Sequence, residues 1–191
     1  ARPAAALVIN FDNLTDNGFG TQIANGYEGF DWSNWNVLNT ADFTTFFGAN
    51  GAAAGTTSQP NIGWNVNGDL SKINSATPFT LNSAEFTGFW NDGLSVTVTG
   101  LLNGVVEDTK TFLVSATAPI LETFNFAGIN EIDISAAGGT HHNGYSGQGT
   151  DVAVDDINIT TTAVPEPASL AIFGAGLFGF GLVRRRRNRA A

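Results

Sequence analysis

The stretch that decides the fold is Leu94-Ser95-Val96-Thr97-Val98-Thr99, followed by Asn103-Gly104 and then Val105 to Val114. In the first part apolar and hydroxyl side chains alternate strictly. A period of two is the signature of a strand with one face buried and one face wet. Asn-Gly then marks a two-residue hairpin, because both central positions of that turn require positive φ. The segment therefore predicts two antiparallel strands joined at Asn103-Gly104.

Outward from this hairpin the same short apolar runs recur. They predict further strands at Ala6–Asn13, Phe79–Phe89, Ile120–Phe126, Glu131–Ser135 and Asp151–Thr161, separated by segments rich in Gly, Asn and Ser. No stretch before the C-terminal tail shows a helical period. Many short strands punctuated by turns predict an all-β chain, a β-sandwich of jelly-roll type. In the last strand Val152 and Val154 share one face, whereas Ile157 and Ile159 belong to the other. The apolar phase slips at Asp155-Asp156, so either a bulge sits there or both faces are buried, and both place a carboxylate near the sheet interior.

The chain has 191 residues with a formal net charge of −9, and its charge is divided unevenly. Residues 1–163 carry 16 acidic against 3 basic residues, a net of −13, whereas Arg184, Arg185, Arg186, Arg187 and Arg189 crowd the C-terminus. This divides the chain into a body at 1–163 and a tail at 164–191. Such an acidic body disfavours nucleic acid and anionic headgroups, and fits cations or neutral sugars as partners. There is no Cys, so no disulfide contributes to stability, and no Met, so Ala1 is not a translation start. Ala4, Ala5 and Ala6 are the small residues expected around a signal-peptide cleavage site.

The tail reads as an address. Ala168 to Val183 is a run of 16 uncharged residues, and at about 1.5 Å per residue it spans a hydrocarbon core of roughly 30 Å only marginally. The prediction is one short C-terminal transmembrane helix. The arginines behind it form a cytoplasmic stop, which places the body outside. Pro165 and Pro167 favour extended backbone ahead of the helix.

The order Val164-Pro165-Glu166-Pro167-Ala168-Ser169-Leu170, a short apolar run and a terminal Arg cluster resembles the PEP-CTERM sorting signal of Gram-negative bacteria. The resemblance implies secretion across the inner membrane, transient anchoring there, and recognition by the membrane enzyme exosortase near Val164, Pro165, Glu166 and Pro167. It further implies delivery to the cell surface or outside, in bacteria that make exopolysaccharide and biofilm matrix.

The opening Phe11-Asp12-Asn13-Leu14 and the closing Val154-Asp155-Asp156-Ile157-Asn158-Ile159 resemble the bodies of such proteins and of lectin-like jelly rolls, in which the terminal strands lie side by side. That resemblance implies a structural calcium, with Asp12 and Asp156 as ligands and Asp155 beside them. The other reading is that these aspartates cap strand ends.

Two further segments carry candidate ligand-binding residues. In Asn25 to Trp35, which is also similar to stretches of PEP-CTERM bodies, Tyr27, Trp32 and Trp35 could stack on sugar rings or fill the core. In the glycine-rich loop Gly138 to Gly149, His141 and His142 could bind a metal or touch a ligand, or sit on a bare loop. No motif isolates a catalytic set, since there is no Cys nucleophile, zinc-type His/Glu motif, nucleophile elbow or phosphate loop. The expected function is therefore a non-enzymatic, surface-sorted protein associated with exopolysaccharide through glycan binding. Its rivals are a carbohydrate-active enzyme, with two facing carboxylates as in glycoside hydrolases, and a purely structural matrix component.

Overall fold

The computed structural model of the chain describes residues 5–161. The sorting motif, the apolar segment and the arginine cluster lie outside the described residues, as does Ala4. Among the described residues no helix is long and apolar enough to cross a membrane.

The elements are β1 (Ala5–Ile9), β2 (Thr21–Gln22), β3 (Asp31–Ser33), β4 (Trp35–Asn39), α1 (Thr40–Phe47), α2 (Gly51–Gly55), β5 (Asn61–Asn65), β6 (Ser71–Gly88), β7 (Asn91–Asp92), β8 (Leu94–Leu102), β9 (Val105–Val114), β10 (Ile120–Ala137), β11 (Thr140–His141) and β12 (Val152–Thr161). All pairings are antiparallel. The main sheet runs β2-β4-β5-β12-β6-β10-β8-β9, with β1 added on β12 and β3 on β6, and β7 and β11 form a separate short ladder. The architecture is a β-sandwich.

The deciding hairpin is present. β8 and β9 pair from Leu94↔Val114 to Leu102↔Val105, and Asn103 and Gly104 take φ of 52° and 80° at the turn. Leu94, Val96 and Val98 are buried, while on the other face Thr97 meets Thr111 and Thr99 meets Thr109 through their hydroxyls. The terminal strands also lie side by side, with Ala5↔Thr161 through Ile9↔Ile157 in register.

Several sequence expectations are corrected. The strand expected at Ala6–Asn13 stops at Ile9, because Phe11 turns into positive φ (64°) to drive its ring into the core. The segments 120–126 and 131–135 are one strand, β10, whose register against β6 shifts between Thr123 and Phe126, between Ala127 and Ile129, and again before Glu131. Bulges of this kind break the period that a sequence reading depends on. β6 likewise begins eight residues ahead of Phe79.

Two helices were not expected. α1 is started by the Asn39 side chain, which accepts from the Asp42 N–H, and α2 by Asn50, which accepts from the Ala53 N–H. Caps of this type satisfy N–H groups a helix leaves orphaned. Phe43 and Ala52 then bury against Leu38, Ile62, Phe89, Trp90 and Ala153 in a second apolar cluster. The main cluster draws Ile9, Phe11, Trp32, Trp35, Ile73, Phe86, Val96, Val98, Ile132 and Ile157 from strands across the sheet.

Candidate functional site

The phase slip in β12 is a bulge that also buries an acid. Asp156 takes φ of 48°, the register against β6 shifts after Asp155, and Ile157 and Ile159 return to the core side that Val152 and Val154 occupy. Asp155 is turned to the opposite side with no exposed surface. There its Oδ2 accepts from the Thr57 N–H at 2.8 Å, the Ser58 N–H at 2.9 Å and the Thr57 hydroxyl at 3.1 Å. Its Oδ1 accepts from the Ser58 hydroxyl at 3.0 Å and the Asp156 N–H at 2.8 Å. Burial pushes this carboxyl up, and the donors from Ser58 and Asp156 pull it back.

Both oxygens of Asp155 are thus engaged by protein donors from Thr57, Ser58 and Asp156. Asp156 shares the single Thr57 hydroxyl proton with Asp155, and Asp12 accepts from the Asn61 N–H at 3.1 Å. Among the described residues no group of three or more His, Cys, Asp or Glu side chains is arranged to hold a metal.

The aromatic stretch 25–35 belongs to the core. Trp32 and Trp35 are 4 % and 0 % exposed and meet edge to face, 5.9 Å between centroids. A ring buried on both sides has no face for a sugar, so neither is a stacking residue. Tyr27 is half-buried against Phe11 and Trp32, and its hydroxyl donates to Asn13 Oδ1 at 2.8 Å. Burial, then the nearby Glu28, pushes its pKa up to about 12.

The histidines lie on a pinned loop. The His142 N–H donates to the Trp90 carbonyl, and its Nδ1 lies 2.5 Å from Asp92 Oδ2. The other Asp92 oxygen accepts from the Ala116 N–H and the Ser115 hydroxyl. The His142 bond, then the Ala116 N–H, holds the Asp92 carboxyl below its ordinary range. Because Ser115 sits on the carboxylate and not on the imidazole, the three groups do not form a serine–histidine relay. Tyr145 lies against His142 with the rings tilted by 50° and 4.4 Å between centroids, and it donates its hydroxyl to the Ala116 carbonyl at 2.8 Å. His141 Nε2 lies 2.7 Å from the Gly147 carbonyl. The loop thus carries no pair of histidines converging on one point.

From this loop the surface continues onto α1, where the Ser146 hydroxyl donates to the Phe47 carbonyl. Here a sequence reading misses the most conspicuous group. Phe19, Phe46 and Phe47 are 56 %, 62 % and 40 % exposed, and Phe19 touches both of the others. Phe19 stacks on Phe46 at 4.9 Å and meets Phe47 edge-on at 6.0 Å. The contacts continue inward from Phe47 to Phe43, Phe89 and half-buried Trp64. Phe19 is held by Gly18 and Gly20, whose φ of 84° and 90° let the loop cross α1, and by Asn17, whose Oδ1 accepts from the Phe19 N–H. Asp16 ties this loop down by accepting from the Gly18 and Asn39 N–H groups and the Thr21 hydroxyl. The spacing Phe43, Phe46, Phe47 was the available signal, since it sets three rings on one face of a short helix, of which only Phe43 is buried.

Residues 163–187 match the PEP-CTERM protein-sorting motif. A comparison with curated proteins found no match. Among solved structures the chain is similar to a DUF4465 family protein from Bacteroides caccae, at 10 % identity over 83 % of this chain and 100 % of that one, with a TM-score of 0.60. It is also similar to a DUF4465 family protein from Bacteroides ovatus, at 7 % identity over 83 % of this chain and 90 % of the other, with a TM-score of 0.47. A third likeness is to TmCBM61, solved in complex with β-1,4-galactotriose, at 10 % identity over 72 % of this chain and 94 % of that one, with a TM-score of 0.40. The likeness to the Bacteroides caccae protein is one of fold.

Proposed function

We propose that this chain is a non-catalytic, exosortase-processed surface protein of a Gram-negative bacterium, whose acidic β-sandwich works outside the cell in association with exopolysaccharide. The observation that carries the reading is the PEP-CTERM sorting motif at residues 163–187, which implies sorting to the cell envelope or surface through exosortase. An acidic body supports the rest, since at a net charge of −13 it is soluble and repels anionic lipid and nucleic acid. The non-catalytic reading is supported by the use to which the best-placed acids are put. Asp155 is saturated by donors, Asp92 is shared among His142, Ala116 and Ser115, and Asp151 is buried where the N–H groups of Gly68 and Asn67 and the Trp90 indole reach it.

The test is the intact mass of the protein recovered from the outside of its native cells, compared with that of a Pro165→Ala/Pro167→Ala variant. The expected result is a native chain shortened near Pro165 to Pro167 and a variant retained at full length in the membrane. Full-length protein at the surface in both would overturn exosortase processing.

A further inference from the structure

From the exposed rings of Phe19, Phe46 and Phe47 we infer a binding platform for a neutral, hexose-based polysaccharide, a site that deepens the proposed association with extracellular glycan and rests on it. Three large aromatic side chains, with Phe19 in contact with both Phe46 and Phe47 and each at least two-fifths exposed, are costly to leave in water. Their positions are fixed from beneath and beside. Phe47 packs on Phe43, and the Phe19 loop is closed by Asp16 and Asn17 and flanked by glycines in the left-handed region. A platform of this kind is ordered before any ligand arrives, which lowers the entropy cost of binding.

Pyranose rings offer faces of C–H groups that pack on an aromatic ring, while their hydroxyls need polar partners around it. Those partners are at hand. Asp42 lies on the same helix beside Gly18, and Asn17 and Ser146 flank the rings from the two neighbouring loops. The sign of the charge selects among occupants. Asp16 and Asp42 stand at the rim of a body of net −13, so uronic-acid polymers, anionic membranes and a second copy of the same acidic surface are all repelled, whereas an uncharged chain of sugars is not.

The experiment measures binding of the full chain to three soluble neutral polymers, a glucan, a galactan and a mannan, and to alginate, by affinity electrophoresis and calorimetry. Phe19→Ala and Phe46→Ala are compared with Leu113→Ala, which removes an equally exposed apolar side chain from β9. The expected result is binding to at least one neutral polymer, weakened about tenfold or more by each Phe variant and unchanged by the control. Thermal melting of each variant within a few degrees of the parent shows that the loss is not one of folding. Neutral-polymer binding that survives both Phe variants would overturn the platform and leave the glycan association standing. No binding to any neutral polymer, or binding to alginate alone, would overturn both. Self-association that disappears in Phe46→Ala would show the patch to be an interface between copies and would overturn the assignment.

Discussion

Replacing Asp155 by Asn tests whether the buried carboxylate is what holds the Thr57-Ser58 loop against β12. The substitution keeps size and shape and changes only one oxygen into a donor. With the new NH2 in place of Oδ2 it faces the N–H groups of Thr57 and Ser58; in place of Oδ1 it faces the N–H of Asp156. The hydroxyls of Thr57 and Ser58 can turn and accept, but a backbone N–H cannot. Even the better orientation therefore strands one half-buried N–H, that of Asp156, costing about 1–3 kcal/mol, and the surviving bonds lose their charge assistance. Relieving the burial of a carboxylate returns part of this, which leaves a net loss of about 2–3 kcal/mol. Urea unfolding at neutral pH should show a lower midpoint with an unchanged slope, and melting should fall by roughly 5–10 °C. A loss below about 0.5 kcal/mol would refute the reasoning, since it would mean that water or loop movement satisfies those donors as well as the carboxylate does.

Other outcomes follow from the same structure. Gly51→Ala would place a Cβ 1.9 Å from the Gly88 carbonyl oxygen, a backbone atom that cannot step aside, and should cost about 3 kcal/mol in chemical denaturation. Burial, and then repulsion from Asp156, raises the Glu85 carboxyl, so the folded state holds that proton more tightly than the unfolded state does. The resulting penalty is absent below the unfolded pKa of about 4.3 and grows as pH rises through the raised value. Glu85→Gln should therefore match the parent near pH 4 and exceed it by a few tenths of a kcal/mol at pH 7, as measured by urea midpoints across that range. A chelator should leave the melting temperature unchanged within about 1 °C, because Asp12, Asp155 and Asp156 already hold protein donors; a rise on adding calcium, reversed by chelation, would reinstate the ion.

The β8–β9 hairpin was legible because alternation and turn chemistry are local, and the alternation holds in register from Leu94 to Gly100, with one shift before Leu101 near the turn. The pairing of the terminal strands was legible only through resemblance. β6 and β10 were read as shorter pieces because bulges, with Asn125 at φ of 56° and Gly128 at 74°, reset the alternation along a strand that is continuous in space. α1 was missed because its Thr and Phe residues have modest helix propensity; the Asn39 cap and the burial of Phe43 outweigh that preference. In the candidate site, residue type left Trp32 and Trp35 open to either a sugar or the core, and the exposed rings of Phe19, Phe46 and Phe47 passed unremarked. Residue type states what a side chain offers to a core or a ligand; only packing decides which of them receives it.

The pairing of β12 with β1 on one side and β6 on the other has a mechanical consequence. A pull applied beyond Thr161 and resisted at the loop end, where Phe47 and Ser146 lie, runs along β12 rather than across it. The rungs from Ala5↔Thr161 to Ile9↔Ile157, and those of β12 with β6, are then loaded in shear together, not peeled one at a time. A body pulled in this way would yield last at the strand by which it is pulled.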